Sequence, residues 1–220
     1  MNLVYSIVAA FVLGAVPWSW LIARLWGVKD LREEGSKNVG ATNVLRTCGR
    51  VPGVLAYLLD GAKGFLAVWF LPRLLPVDFL AGDFFVLHGA AVMLAVMLGH
   101  IFTPFLGFRG GKGAMAGVAG AVALAPLIGL ATAGVFFVVL AISRIVSVST
   151  ISAACCYPVM ITVFALVDHR APNWYFLGFG VVVAGLVVLM HRDNIRRLRR
   201  GEEKPPLAEA EPTPGGADAD

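Results

Sequence analysis

Residues 35–46, with the sequence GSKNVGATNVLR, combine small residues with hydrogen-bonding ones in a pattern that suits an anion. Backbone N–H groups in such a segment can surround a phosphate or carboxylate oxygen. We predict that side chains also contribute, with a guanidinium as the charge-matched fork: Ser36, Asn38, Thr42, Asn43 and Arg46. The alternative is a solvated loop whose cations only orient the chain in a membrane. Lysines and arginines alone would satisfy that role, so the small polar residues favour anion binding.

A second glycine-rich segment covers residues 99–113 and runs directly into an alanine-rich helix that begins at Ala114. Glycines before a helix N-terminus present backbone donors and the positive end of the helix dipole. We predict an oxyanion or phosphate cradle formed by Gly110, Gly111 and Lys112. The pattern is not a Walker A loop, because Leu106 stands where that loop needs Gly and Gly113 where it needs Ser or Thr. We therefore expect phosphate binding without nucleotide hydrolysis.

The third polar segment, HRDNIRRL at residues 191–198, leaves the last apolar block. On a helical continuation His191 and Asn194 share one face by their i, i+3 spacing, and we predict that both belong to the site. His191 could act as a base or as a hydrogen-bond donor to an anion. The arginines from Arg196 to Arg200 are better explained as a basic flank that anchors the helix at the membrane surface.

A short polar interruption with Arg144, Ser147 and Ser149 lies on the same predicted side. Its hydroxyls could either contact the anion or satisfy the ends of neighbouring helices, and we include Ser149 among the predicted substrate-binding residues. Asp60 and Lys63 lie inside an apolar block at i, i+3 spacing, where charges are costly and usually paired. They predict either a structural ion pair or a relay for protons or substrate.

The elements that must position these residues are membrane helices. Apolar residues make up 58% of the 220 residues and charged residues only 15%, whereas soluble domains carry about 25% charged residues. The apolar residues fall in blocks long enough, or nearly long enough, to cross a bilayer: 2–23, 54–72, 84–100, 114–143, 148–167 and 174–190. The composition excludes an ordinary soluble domain, and the three cysteines offer neither a disulfide framework nor a metal-binding spacing.

Cations are unevenly distributed between the loops, and this predicts the orientation of the chain. We expect the cation-rich segments to be cytoplasmic: 24–50, 109–112, 144 and 192–200. The loops at 73–83 and 168–173 hold few cations and should face outward. The N-terminus would then lie outside and the C-terminus in the cytoplasm.

The block at residues 114–143 must cross the membrane twice or not at all, because the cations on both sides of it are predicted to be cytoplasmic. Two full spans need about 40 residues, and Pro126 is the natural break. We predict two short or tilted helices that meet near Ala125 and Pro126. The fold is then an all-α integral membrane protein with seven transmembrane helices; the alternative is a re-entrant hairpin and five full spans.

Residues 1–200 are predicted to form a single polytopic membrane domain. The N-terminal apolar run has no basic region before it and no A-x-A cleavage site after it, so a retained first helix is favoured over a signal peptide. Residues 201–220 hold six of the 14 acidic residues together with many Pro, Gly and Ala residues. This composition predicts an acidic disordered tail.

The three polar segments, in this order, resemble those of the bacterial acyl-phosphate-dependent glycerol-3-phosphate acyltransferase family of integral membrane enzymes. The resemblance covers residues 1 to about 201 through GSKNVGATNVLR, GHIFTPFLGFRGGKG and HRDNIRRLRRGE, with LDGAKG and RIVSVST also matching in place. One departure is Lys37, where the family usually has Gly between the serine and the asparagine of its first motif. The resemblance implies seven helices, with the site on the cytoplasmic face of a bacterial inner membrane.

The resemblance also implies a reaction. The acyl group of an acyl phosphate would pass to the 1-hydroxyl of glycerol 3-phosphate, giving 1-acyl-glycerol 3-phosphate (lysophosphatidic acid) and inorganic phosphate, the first acylation of phospholipid synthesis. The residues implied around the two substrates are Ser36, Asn38, Arg46, Lys112, Ser149, His191 and Asn194. We expect the catalytic ones to be Ser36, Lys112, His191 and Asn194. A mixed anhydride needs positioning and charge neutralisation more than a protein nucleophile, and the proton acceptor is either the substrate's own phosphate, which we favour, or His191.

We expect no cofactor, no metal ion and no nucleic-acid partner, with membrane lipid around the helices; the sequence specifies no oligomeric state. The HxxxxD pattern of acyl-CoA-dependent acyltransferases is absent, because no histidine is followed five residues later by Asp. The rival interpretation is a carrier for a phosphorylated metabolite, which would need binding groups near the bilayer midplane and access from both sides. Because nearly every polar cluster lies at one face, we favour the enzyme over a carrier or a structural anchor.

Overall fold

The computed structural model describes residues 1–76, 83–203 and 205. Over these residues the chain is helical and contains no β-strand. The helices are, in chain order, α1 (Asn2–Ala15), α2 (Trp18–Leu25), α3 (Ala41–Cys48), α4 (Arg50–Leu74), α5 (Asp83–Ile101), α6 (Ala114–Leu124), α7 (Pro126–Ser143), α8 (Val146–Val167), α9 (Trp174–Met190) and α10 (Arg192–Arg199). A short 3₁₀ turn at Pro104–Leu106 follows α5.

The first apolar block, predicted as one helix over residues 2–23, is divided into α1 and α2 at Pro17. Proline has no N–H group and cannot continue the helical hydrogen bonds, so the carbonyls just before it need other donors. The Thr103 hydroxyl donates to the Ala15 carbonyl (2.6 Å) and the Lys63 ammonium to the Val16 carbonyl (3.0 Å). The break therefore ties the first helix pair to the polar residues of α4 and of the segment after α5.

Among the described residues, five helices or helix pairs are long and apolar enough to cross a membrane, and α9 adds a sixth if it is counted together with α10, from which it is bent by 58°. The chain is thus a multi-pass membrane protein. The break predicted near Ala125 and Pro126 is confirmed, since α6 ends at Leu124 and α7 begins at Pro126. However, α6 has only 11 residues, or about 16 Å at 1.5 Å per residue, so the count of seven transmembrane helices stays a prediction.

At two glycines, the backbones of neighbouring helices come into close contact. A Cβ atom on Gly99 of α5 would lie 2.1 Å from the Phe11 carbonyl oxygen of α1, and one on Gly64 of α4 would lie 2.1 Å from the Ala116 carbonyl oxygen of α6. Small residues allow such backbone approach inside membranes, where packing drives helix association. Most residues of α5 from His88 to Ile101 are buried, and the helix leads directly into residues 102–113.

The polar segments lie at one end of this bundle. Residues 26–49 connect α2 to α4, residues 102–113 connect α5 to α6, and residues 191–203 follow α9. The predicted acidic tail lies outside the described residues except for 201–203 and 205.

Candidate functional site

A cavity of about 410 Å³ lies where the three polar segments meet. Residues from all three segments and from α8 form its polar end: Ser36, Asn38, Thr42, Arg46, Lys112, Ser147, Thr150, His191, Asn194 and Glu203. Deeper between the helices the lining becomes apolar: Phe65, Met93, Val118, Phe136, Ala154, Tyr157 and Val183 are among the residues there. A cavity of this kind suits a ligand that has an anionic head and an aliphatic chain.

Asn43 shapes the first polar segment from inside and does not line the cavity. Its Oδ1 accepts a hydrogen bond from the Ser36 backbone N–H (2.8 Å). Its Nδ2 donates to the carbonyls of Leu31 (3.0 Å) and Glu34 (2.9 Å). Fully buried and saturated in this way, Asn43 holds Ser36 at the cavity instead of contacting a ligand itself.

Lys37 adopts a left-handed backbone conformation with φ 59°. Glycine adopts this conformation without steric cost, which explains why the resembling family usually has Gly at this place. The Lys37 side chain is exposed and is not part of the cavity wall.

Tyr57 of α4 lines the cavity, although it was not among the predicted site residues. Its hydroxyl lies 2.6 Å from the Thr42 hydroxyl, so a hydrogen bond joins the first polar segment to α4. The available signal was a polar side chain one helical turn before Asp60 in an otherwise apolar block.

Gly110 and Gly111 use their N–H groups within the chain. They donate to the carbonyls of Ile101 (2.9 Å) and His100 (3.2 Å) at the end of α5. A Cβ atom on Gly110 would lie 2.0 Å from the His100 carbonyl oxygen, and one on Gly111 would lie 2.3 Å from the Val39 carbonyl oxygen. Neither glycine lines the cavity; their small size brings the second segment against the first and directs Lys112 into the shared space.

Lys112 links the second segment to the third. Its ammonium donates a hydrogen bond to Asn194 Oδ1. Burial lowers the pKa of Lys112 to about 8, because the charged form loses hydration. An anionic ligand would add a negative charge beside this buried cation.

His191 and Asn194 both face the cavity, with 4% and 6% of their surface exposed. His191 Nδ1 lies 2.7 Å from the Val187 carbonyl oxygen, and because a carbonyl can only accept, Nδ1 must carry a proton. In the neutral ring, Nε2 is then a hydrogen-bond acceptor. Asn194 Nδ2 donates to Glu203 Oε1 (2.7 Å).

Glu203, predicted from composition to belong to the acidic tail, lies inside the polar end of the cavity. Besides Asn194, the Ser147 hydroxyl donates to its Oε1 (3.0 Å) and Arg197 Nε donates to its Oε2 (2.6 Å). Burial alone would raise the pKa of Glu203, but the hydrogen bonds from Arg197 and Asn194 lower it below its usual value. Arg197 is therefore more than a member of a basic surface flank. A signal in the sequence was the acidic pair Glu202 and Glu203, one residue after the arginines that end at Arg200.

The sequence left open whether the hydroxyls of α8 contact the anion or satisfy helix ends, and the structure shows both arrangements. Ser147 and Thr150 line the cavity. Ser149 is fully buried and its hydroxyl donates to the Ile145 carbonyl (2.9 Å), away from the cavity. The substrate contact predicted for Ser149 is therefore not seen in this geometry, whereas Ser147 occupies such a place.

The Asp60 and Lys63 side chains form an ion pair (2.9 Å) beneath the polar end of the cavity. The Ser19 hydroxyl donates to Asp60 Oδ2 (2.6 Å), and the Lys63 ammonium lies 2.8 Å from His100 Nδ1. Both charged side chains are at least 95% buried. This network connects α2, α4 and α5 directly under the segment that carries Lys112.

We expect Glu203→Gln to destabilise the fold by about 1.5–3 kcal/mol, because a buried carboxylate that accepts three hydrogen bonds would become an amide with one acceptor. Denaturant unfolding of the purified protein in detergent measures this effect. Glu202→Gln is the matched control, since Glu202 is the exposed neighbour. Equal unfolding midpoints for the two variants would contradict the structural role of Glu203.

Within residues 1–76, 83–203 and 205, no group of three or more His, Cys, Asp or Glu side chains is placed to hold a metal ion. The lining of the cavity includes two cations, Arg46 and Lys112.

Membrane helices around a cavity with cations at its polar end and an apolar interior define an integral membrane protein whose cavity suits an amphiphilic anion. Residues 4–201 match the family described as glycerol-3-phosphate acyltransferase, and the chain belongs to this family. It is an integral membrane acyltransferase of phospholipid biosynthesis. The family resemblance drawn from the three polar segments is thereby confirmed.

Similar proteins cover nearly the whole chain. The glycerol-3-phosphate acyltransferase of Geobacter sulfurreducens is 39% identical over 194 residues, which span 88% of this chain and 92% of that protein. The corresponding protein of Thermosynechococcus vestitus is 40% identical over 200 residues, spanning 88% and 90%. A crystal structure of PlsY, an integral membrane glycerol 3-phosphate acyltransferase, in its glycerol 3-phosphate form has a TM-score of 0.79 and 31% identity, covering 93% of this chain and 96% of that one. Its lysophosphatidic acid form has a TM-score of 0.77 and 30% identity.

Proposed function

We propose that the enzyme transfers the acyl group of an acyl phosphate to the 1-hydroxyl of glycerol 3-phosphate, and releases 1-acyl-glycerol 3-phosphate and inorganic phosphate. The observation that carries the proposal is the continuity of the cavity, from Arg46 and Lys112 at one end to Phe136 and Tyr157 at the other. The similar PlsY structures in glycerol 3-phosphate and lysophosphatidic acid forms support the acceptor and the product.

Two substrates with phosphate groups can share the polar end because its donors come from separate segments. Ser36, Asn38, Thr42 and Arg46 form one group and Lys112, His191 and Asn194 the other. Positioning the hydroxyl against the carbonyl, together with neutralising the charge of the leaving phosphate, supplies most of the rate enhancement that an activated anhydride needs. Asn43, Gly110, Gly111 and Ser149 contribute by positioning this constellation.

The glycerol oxygen attacks the acyl carbonyl carbon, the carbon–oxygen bond to phosphate breaks, and the hydroxyl proton passes to the departing phosphate. His191 Nε2, as the acceptor nitrogen of the neutral ring, orients the hydroxyl by a hydrogen bond. Should His191→Ala keep its substrate affinities but lose a rate component that follows a pKa of about 6 to 7, His191 would be the base instead.

The decisive experiment supplies purified protein in lipid with glycerol 3-phosphate and either palmitoyl phosphate or palmitoyl-CoA. We expect lysophosphatidic acid and an equal amount of inorganic phosphate from palmitoyl phosphate alone. Product from the coenzyme A thioester only would overturn the proposed donor. Uptake of labelled glycerol 3-phosphate into proteoliposomes without product would instead support the carrier.

We further propose that the protein lies in the bacterial inner membrane with seven transmembrane helices, its N-terminus outside and its site and C-terminus in the cytoplasm. The cations at Arg109, Lys112 and Arg144 support this orientation through the positive-inside rule. A cysteine placed near Pro126 tests it: labelling by an impermeant external reagent supports seven crossings, and protection supports a re-entrant hairpin.

A further inference from the structure

Tyr157 lines the apolar part of the cavity and its ring contacts that of Phe176, and we propose that this pair sets the longest acyl chain that the enzyme accepts. The inference rests on the proposed function, since it assigns the apolar part of the cavity to the acyl chain.

The two rings separate two cavities. Tyr157 lines the cavity of about 410 Å³ and is 2% exposed. Phe176, 6% exposed, lines a second cavity of about 610 Å³ at the opposite end of α8 and α9. The rings meet edge to face, with their centroids 6.3 Å apart. An acyl chain that extends from the polar end therefore meets this pair before it can reach the second cavity.

The distance from the polar end of the cavity to Tyr157 corresponds to a definite chain length. Ser147 lies at the polar end and Tyr157 lies ten residues further along α8, which is about 15 Å at 1.5 Å per residue. An extended chain advances about 1.2 Å per bond, as a polypeptide advances about 3.5 Å per three bonds. About 12 or 13 bonds thus fit below Ser147. Thr132 of α7, eleven residues before Ser143 at the end of its helix, lines the cavity at a similar depth.

The ring of Tyr157, not its hydroxyl, closes the cavity. Among the described residues, the Tyr157 hydroxyl has no hydrogen-bond partner, although buried hydroxyls usually have one. A hydrogen bond to the protein therefore does not account for the position of this side chain. The packing of its aromatic ring against Phe176 accounts for that position.

The test is the chain-length profile of kcat/KM for tetradecanoyl, hexadecanoyl, octadecanoyl and eicosanoyl phosphates, with glycerol 3-phosphate held saturating. Tyr157→Ala should raise the ratio of kcat/KM for octadecanoyl to that for tetradecanoyl phosphate by about ten-fold or more, since each newly buried methylene contributes about four-fold, equivalent to about 0.8 kcal/mol. Tyr157→Phe should keep the wild-type ratio.

A second variant, expected to change the chain-length ratio in the opposite direction, keeps the inference testable if Tyr157→Ala folds poorly. Ala154 lines the same wall, three residues nearer the polar end, which is about 4.5 Å along the helix. Ala154→Leu should lower the same ratio by about ten-fold. Val159→Ala is the matched control on α8, because Val159 is 53% exposed and lies outside the cavity. Equal ratios in Tyr157→Ala, Ala154→Leu and Val159→Ala would overturn the inference.

Inhibition by lysophosphatidic acids of the same chain lengths separates failure of the inference from failure of the proposed donor. If no acyl phosphate is turned over by the wild-type enzyme, the donor is wrong. The inference then depends on this second series: the longest effective inhibitor must become longer in Tyr157→Ala and shorter in Ala154→Leu. An unchanged inhibitor profile in both variants would overturn the inference whichever donor is used.

Discussion

Lys112→Ala should lower kcat/KM for glycerol 3-phosphate by about 100-fold to 1000-fold, the loss typical of removing one preorganised charge-stabilising donor. Lys112 is the cation that the second segment brings into the cavity, and it donates to Asn194. Initial rates of phosphate release at varied glycerol 3-phosphate measure the effect. Lys29→Ala removes an exposed cation on the same predicted side and should change kcat/KM less than two-fold. A similar loss in both variants would show that general surface charge, and not Lys112, is responsible.

The pH dependence gives a second readout of the same residue. Burial lowers the pKa of Lys112 to about 8, and only its protonated form pairs with a phosphate. As the pH rises through about 8, the ammonium loses its proton in the free enzyme, so kcat/KM should fall, as kcat/KM reports free-enzyme pKa values. Lys112→Arg, whose guanidinium stays protonated, should lack this alkaline decline even if its rate is low. An identical decline in the arginine variant would assign the titration to another group.

Lys63→Met should destabilise the protein by about 3–5 kcal/mol, because it leaves the buried Asp60 carboxylate without its cation. Asp60→Asn should do the same for Lys63. The double variant should unfold closer to the wild type than either single variant does, since a buried pair replaced as a unit leaves no isolated charge. Denaturant unfolding in detergent gives the three midpoints.

The exposed pair Arg196 and Asp193 is the matched control for this experiment. It has the same i, i+3 spacing and an N–O distance of 3.3 Å, but its side chains are 71% and 62% exposed. Asp193→Asn should therefore cost less than about 1 kcal/mol. If Asp60→Asn lowers the free energy of unfolding no more than Asp193→Asn does, the buried network does not stabilise the fold beneath the site. If the loss of unfolding free energy in the double variant equals the sum of the losses in the two single variants, Asp60 and Lys63 do not stabilise each other.

Sequence alone predicts those parts of the fold that depend on local chemistry, namely which segments form helices and where a helix ends. Apolar blocks long enough for a bilayer became helices, and Pro126 ends one helix and starts the next because proline cannot donate. The same rule applied to Pro17 would have predicted the break between α1 and α2. It was missed because residues 2–23 have the length of one membrane span, whereas the cations on both sides of 114–143 required a break in that block.

The composition of the site was less predictable, because it depends on which way side chains point in three dimensions. Asn43 and Ser149 have the right chemistry but face inward. Tyr57 and Ser147 reach the cavity from helices whose inward face only packing defines. Glu203 was assigned to the tail by composition, although it accepts hydrogen bonds in the cavity from Asn194 and Arg197 of α10 and from Ser147, 56 residues away on α8. Long-range pairing of this kind leaves no mark in a local sequence window.

The position of Glu203 also bears on how the enzyme is made. Chains are synthesised from the N-terminus, so α1 to α9 are complete before residues 191–203 exist. Until that last segment is present, Ser147 lacks its acceptor and Lys112 lacks Asn194. A nascent chain that stops before residue 191 therefore already contains α1 to α9 but lacks part of the cavity wall. The polar end of the cavity is completed by the last of its lining segments to be synthesised.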